Sequence, residues 1–264
     1  MIMEQNTSLL SIEELVLRYD DNGPPIIENF DLTIGRKEII GILGPSGVGK
    51  SSLLRVLAGL QKANSGRILI HGEELKTIHP RLAVAFQNPG LLPWLSVENN
   101  VGFGLDFKNQ HRLTKKQRQE RIDKAIYEVG LEEARKLRPN QLSGGMAQRA
   151  GLARCLARKP DVLFLDEPFG ALDEVTREQM QQLLIKIVEE FGASALLITH
   201  DIDEALLTCD RVLLLGGRPA NIIGAWNINF EKPRNNFVEE LGAIRIEILA
   251  QLRDITIKKK ITDE

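Results

Sequence analysis

The chain has 264 residues, 43% of them hydrophobic and 27% charged, which at about 100 to 200 residues per domain makes one large domain or two small ones. Lys and Arg number 34 against 36 Asp and Glu, a formal net charge of -2, so nonspecific attraction to nucleic acid or anionic lipid is excluded and no nucleic-acid partner is expected. Apolar runs such as 195–198 and 212–215 fall far short of the ~18 to 20 residues that span a bilayer, and a soluble polypeptide is expected. The start, Met1 to Gln5, has neither the basic residues nor the apolar stretch of a secretion signal, which points to an intracellular protein. Cys155 and Cys209 lie in apolar stretches with no Cys or His at ligand spacing, and read as buried thiols rather than a disulfide or zinc site.

In chain order, apolar residues alternate over 9–41, as in Phe30, Leu32 and Ile34, the period of half-buried and antiparallel strands. Residues 39–43 are continuously apolar and run into a glycine loop and a helical pattern over 51–59, as a strand covered on both faces does. From about 97 to 159 the pattern is helical. Thr114 and Gln117 make a capping box ahead of Ile122, Ala125, Ile126 and Val129, while Lys115, Lys116, Arg118 and Arg121 fill a solvated face. Two more buried strands, 162–165 and 195–198, flank a helix over about 175–191 that stops at Gly192. Strand, helix, strand alternation predicts a parallel sheet. A Pro-containing linker over 231–236 precedes a helical tail over about 237–253, and Lys258 to Lys260 read as a soluble end.

Two motifs carry chemistry on their own. Gly44, Pro45, Ser46, Gly47, Val48, Gly49, Lys50 and Ser51 match the phosphate-cradling loop between a strand and a helix, with Ser52 next along that helix. Its backbone N–H groups and the helix N-terminus face a triphosphate, Lys50 meets the β- and γ-phosphates, and the Ser51 hydroxyl suits Mg²⁺. Residues 162–165 deliver Asp166 and Glu167 to a strand end, where ligands gather in open α/β sheets. Asp166 suits contact with Mg²⁺ and Glu167 suits polarising the water that attacks the γ-phosphate.

The discriminating segment is Leu142-Ser143-Gly144-Gly145-Met146-Ala147-Gln148-Arg149. It resembles the signature of ATP-binding cassette (ABC) ATPases, with the family's other motifs following in order over about 9–228. Physically it is a second anion site, in which Ser143 and the N–H groups of Gly144 and Gly145 open a helix. Met146 stands where the family usually has Gln. The resemblance implies that Gln87 is the Q-loop glutamine, reaching the γ-phosphate and Mg²⁺. Gly170-Ala171-Leu172-Asp173 then form the D-loop, His200 is the switch histidine, and Tyr19 stacks on adenine.

The resemblance implies a P-loop NTPase core with a mainly parallel sheet, an N-terminal antiparallel β subdomain and an inserted helical subdomain over about 93–158. The ATPase domain would span 1–232 and a C-terminal helical tail 233–264. It further implies an ATP-hydrolysing motor subunit, two copies binding two ATP with Mg²⁺ at shared sites on the cytoplasmic face of the membrane. Separate permease subunits and, through them, an external substrate-binding protein complete the complex. Three other classes share the phosphate loop and fit less well. A P-loop kinase leaves the signature unexplained, translation cassettes generally carry two copies of each motif, and repair cassettes carry a long coiled-coil insertion. Residues 86–95, the Met146 signature and the tail from Arg218 resemble the nitrate, sulfonate and taurine importer branch. In that loop Leu91, Leu92, Trp94 and Leu95 either pack inward or line a groove for a permease helix.

Overall fold

A computed structural model describes residues 8–20, 22–107, 110, 112–170 and 172–262, with side chains through Ile255. The Met1 to Gln5 start and the side chains of Lys258 to Lys260 lie outside that range. The chain divides into two compact units, one made of the stretches up to Ile78 and from Ser194 onward, the other of His79–Ala193.

The first unit begins with β1 (Leu10–Arg18), β2 (Pro25–Ile34), β3 (Ile39–Leu43), α1 (Lys50–Leu57), β4 (Ser65–Ile70) and β5 (Glu73–Glu74). The second contains β6 (Leu82–Ala85), α2 (Val97–Val101), α3 (Lys115–Glu128), a short 3-10 turn at Pro139–Gln141, α4 (Gly144–Ala157), β7 (Val162–Asp166) and α5 (Glu174–Phe191). The chain then returns to the first unit with β8 (Ser194–Ile198), α6 (Ile202–Thr208), β9 (Arg211–Gly217), β10 (Ala220–Asn227) and α7 (Val238–Thr262).

In the first unit the strands lie in the order β5-β4-β1-β2-β10-β9-β3-β8. β1 pairs antiparallel with both β2 and β4, as the alternation predicts, because one face of each strand is apolar and the other polar. β3 sits between β8 and β9 with both neighbours parallel. All five of its residues are buried, the reason its sequence is an unbroken apolar run. In the second unit β6 pairs parallel with β7, in the register Leu82↔Val162 through Ala85↔Leu165. α4 packs against α2 and α3. The capping box on α3 is formed as expected, Gln117 N donating to Thr114 Oγ1 at 3.2 Å and Thr114 N to Gln117 Oε1 at 3.0 Å.

Both cysteines are buried, and loss of solvation pushes the Cys155 thiol up to about 11 and the Cys209 thiol to about 12, so both stay protonated and inert at neutral pH. The C-terminal helix runs to Thr262, beyond the predicted stop near Arg253. No helix among the described residues is long and apolar enough to cross a membrane.

Candidate functional site

In the first unit, β3 aims the chain at the Gly44–Gly49 loop, and α1 carries it away with Leu53, Leu54, Val56 and Leu57 buried. Gly49 is the N-cap of α1 at φ 107, a left-handed conformation suited to glycine, and a Cβ there would fall 2.9 Å from Ile26 Cγ2. A glycine cap supplies no side-chain acceptor, and no side chain caps α1. The N-terminus of a helix, where backbone N–H groups and the dipole face outward, attracts an anion. Ser46 and Gly47 are exposed on the rim, whereas Lys50 is buried, its Nζ donating to Gly44 O at 2.7 Å and Pro45 O at 3.1 Å. Ser51 and Ser52 follow, half-buried.

The same unit holds Tyr19 and His200. Tyr19 follows β1 and is 75% exposed. The strand end beneath it is pinned where Arg18 N donates to Asn64 Oδ1 at 2.7 Å and Arg18 Nη1 to Gly23 O at 2.5 Å. His200 is exposed between β8 and α6, where Asp201 N donates to Thr199 Oγ1 at 3.0 Å.

The second unit carries the acids. Asp166 ends β7, and Glu167 follows with φ 46. A residue with a Cβ in that left-handed region carries strain of about 1 to 3 kcal/mol, a cost functional positions often bear. The β6–β7 pairing ends at Ala85↔Leu165, two residues before Gln87 and Glu167, and Gln87 Nε2 lies 3.4 Å from Glu167 Oε2. Sequence reasoning named both residues and gave no sign of their contact.

It also missed what holds the Gln87 loop. Gln148 Nε2, one turn into α4, donates to Gln87 O at 2.5 Å. Arg154 donates to Gly90 O at 2.9 Å and to Pro89 O. Asn100, fully buried, accepts from Leu92 N at 2.7 Å and donates to Leu92 O, Leu95 O and Ser96 O at 3.1 Å each. Asn100→Ala is therefore expected to unpair several buried backbone groups, at ~1 to 3 kcal/mol for each. Thermal unfolding should show a loss of melting temperature of at least several degrees. An unchanged melting temperature would show that the loop does not depend on Asn100. Trp94 itself is 66% exposed, so inward packing does not hold for it, while Leu91, Leu92 and Leu95 are half-buried.

The signature opens α4. Ser143 is its N-cap, accepting from Met146 N at 3.3 Å. Gly144 faces open space, whereas a Cβ on Gly145 would lie 2.5 Å from Thr176 Cγ2, so that position must stay small. Thr176 also donates to Asp173, the N-cap of α5, from its Oγ1 at 2.7 Å and its N at 3.0 Å. Those bonds, the hydroxyl's foremost, hold the Asp173 carboxyl below the usual carboxylate range. The structure thus brings the signature and Asp173 together through Thr176. Ala171, from the same predicted loop, lies outside the described residues.

The family model described as "ABC transporter" matches residues 27–170. The chain belongs to the ABC transporter family. This ABC chain is 44% identical over 233 residues to the nitrate import ATP-binding protein NrtD of Synechococcus elongatus, covering 88% of the chain and 83% of that protein. It is 43% identical over 224 residues to the taurine import ATP-binding protein TauB of Escherichia coli K12, covering 85% and 86%. With the aliphatic sulfonates import ATP-binding protein SsuB 1 of Xanthomonas axonopodis the identity is 40% over 234 residues, covering 88% and 92%. Among solved structures, CbiO1 of Clostridium perfringens, part of an ABC transporter complex, superposes with a TM-score of 0.77 at 30% identity, covering 96% of this chain and 99% of that one. The dimeric post-hydrolysis cassette MJ0796 bound to ADP and Pi gives 0.72 at 28% identity, covering 84% and 100%. The ABC fold is therefore present, and the chain is an ATPase of the ABC type.

Proposed function

We propose that the chain is the ATP-hydrolysing motor subunit of a prokaryotic importer, working as a pair of copies on the cytoplasmic face of the membrane and driving a separate permease. The cargo is a small anion of the nitrate, sulfonate or taurine kind, delivered by an external substrate-binding protein. The observation that carries this reading is identity of 40 to 44% to ATP-binding proteins of nitrate, taurine and sulfonate import over at least 85% of the chain. The ATPase domain is taken as residues 1–232 with its helical subdomain at about 93–158, and 233–264 as a tail.

In this reading the backbone of Gly44 through Gly49, with Lys50, Ser51 and Ser52, binds the phosphates, and Tyr19 offers adenine an exposed ring. Ser143, Gly144 and Gly145 of one copy meet the phosphate held by the other, with Asp173 alongside. Glu167 takes a proton from the attacking water while Gln87 and His200 orient water and γ-phosphate. Mg²⁺ fits the donors present: the Ser51 hydroxyl, the Gln87 amide oxygen and the Asp166 carboxylate are hard oxygen ligands. When bound it neutralises phosphate charge.

Loss of the gene is expected to abolish growth on one of nitrate, taurine or an alkanesulfonate as sole nitrogen or sulfur source. Normal growth on all three, with the protein free of membranes on fractionation, would contradict the reading. The exposed Trp94 supplies a residue-level prediction. Trp94→Ala should leave ATPase rate and melting temperature little changed while uptake and permease co-purification fall at least tenfold, since an interface Trp often contributes more than ~2 kcal/mol. Unchanged permease binding would remove Trp94 from the coupling surface.

A further inference from the structure

The first unit contains a buried arginine that none of the nucleotide motifs uses. Arg234, in the linker between β10 and α7, is 2% exposed and directs its whole guanidinium at backbone carbonyls. Nε donates to Phe230 O at 3.0 Å and Nη2 to Ile228 O at 2.9 Å, while Nη1 donates to Leu206 O at 2.9 Å and Cys209 O at 2.5 Å. Asp210 Oδ1 lies 3.7 Å from Nη2 and 2.6 Å from Lys232 Nζ, so the linker brings two cations to one carboxylate. Ile228 and Phe230 are neighbours along the chain. Leu206 and Cys209 belong to the end of α6, where carbonyls lack helical partners and the helix dipole is negative. A planar fork meets such divergent acceptors, and an ammonium does not.

α6 is gripped from two further directions. On its outer side, Arg245 Nε of α7 donates to Asp203 Oδ1 at 2.8 Å. On its inner side β3 approaches so closely that a Cβ on Gly41 would fall 2.9 Å from Cys209 Sγ and 3.4 Å from Ala205 Cβ. The helix has seven residues. At its other end Asp201 caps it, accepting from Asp203 N at 2.9 Å and Glu204 N at 3.1 Å, and His200 is the residue immediately before that cap. A short helix moves as one body, so a slide or rotation at Leu206 reaches His200 across two turns.

We infer that Arg234 and Arg245 are positioning residues for His200, the C-terminal segment fixing α6 and α6 fixing the histidine. The inference rests on the role proposed for His200 in hydrolysis. It gives the segment after β10 a part in turnover without contact with nucleotide.

The test uses the full chain, with ATPase kinetics and histidine side-chain NMR side by side. The sequence has four His, and the His200 signals are those lost in His200→Ala. Arg245→Ala, a surface change, should shift the His200 signals and leave those of His71 in place. It should lower kcat about threefold to tenfold with KM for ATP within about twofold, the size of effect seen for residues that couple to a site without touching it. Exchanging the pair, Asp203→Arg with Arg245→Asp, should restore both signal and rate. Arg234→Lys, which keeps the charge and loses the fork, should shift the same signals further. If that variant does not fold, Arg245→Ala decides. Unmoved His200 signals in Arg245→Ala, or a fall in melting temperature with kcat unchanged, would overturn the inference. Wild-type turnover by His200→Ala would overturn the role beneath it, and the signal shift separates that failure from a tail that does not reach His200.

Discussion

Glu167→Gln is expected to keep ATP affinity and lose most turnover. The amide has the carboxylate's shape, and Gln tolerates the φ of 46 at this position no worse than Glu, so the bend after β7 and the neighbouring Gln87 should stay in place. What changes is basicity. An amide does not take a proton from water, and loss of a general base costs ~10² to 10⁴-fold in rate. Phosphate release at saturating ATP, compared with nucleotide binding followed by fluorescence, separates the two effects. Turnover within a few fold of wild type would remove Glu167 from the chemistry.

The second large effect is complementation between two dead variants. Lys50→Ala removes the ammonium that sits over the Gly44 and Pro45 carbonyls, and Ser143→Arg fills the helix opening at the signature. Each should inactivate a homodimer, because in a symmetric pair every shared site receives the defect. Mixed together, one site of the heterodimer collects both defects and the other joins an intact Lys50 to an intact Ser143. Random assortment makes half the dimers mixed, so recovery should approach about a quarter of the wild-type rate. No recovery, with heterodimer formation demonstrated by tagged copies, would contradict independent sites shared between copies.

The phosphate loop, the acid pair and the signature are legible in the sequence because each needs particular residue types at fixed short spacing. The Gly49 cap shows why: its backbone angle and its closeness to Ile26 both demand glycine. β3, β7 and β8 are legible because strands buried on both faces become unbroken apolar runs. Five strands are not anticipated. β4 lies beyond the alternating stretch with its first three residues exposed, and β5 has two residues. β6 is four residues long, and β9 and β10 form an antiparallel pair whose glycines, Gly216, Gly217 and Gly224, interrupt any clear alternation. The contacts that hold the loops are also invisible. Gln148, Arg154 and Arg234 donate to backbone carbonyls, which have no residue signature, and a buried arginine in a Pro-containing linker reads as an ordinary solvated one. α7 carries apolar residues on its exposed side, Val238 and Ile246 among them, which blurs its amphipathic pattern.

Binding of ATP between two copies of this chain is read directly from the mass of Glu167→Gln by sedimentation velocity with Mg²⁺ and nucleotide. With hydrolysis blocked, saturating ATP should hold the chain as a dimer of twice its 29.5 kDa mass, while ADP should leave it a monomer, because in the proposed arrangement the γ-phosphate joins the P-loop of one copy to the signature of the other. A monomer at saturating ATP, in a sample shown to have bound the nucleotide, would mean that ATP is not shared between copies.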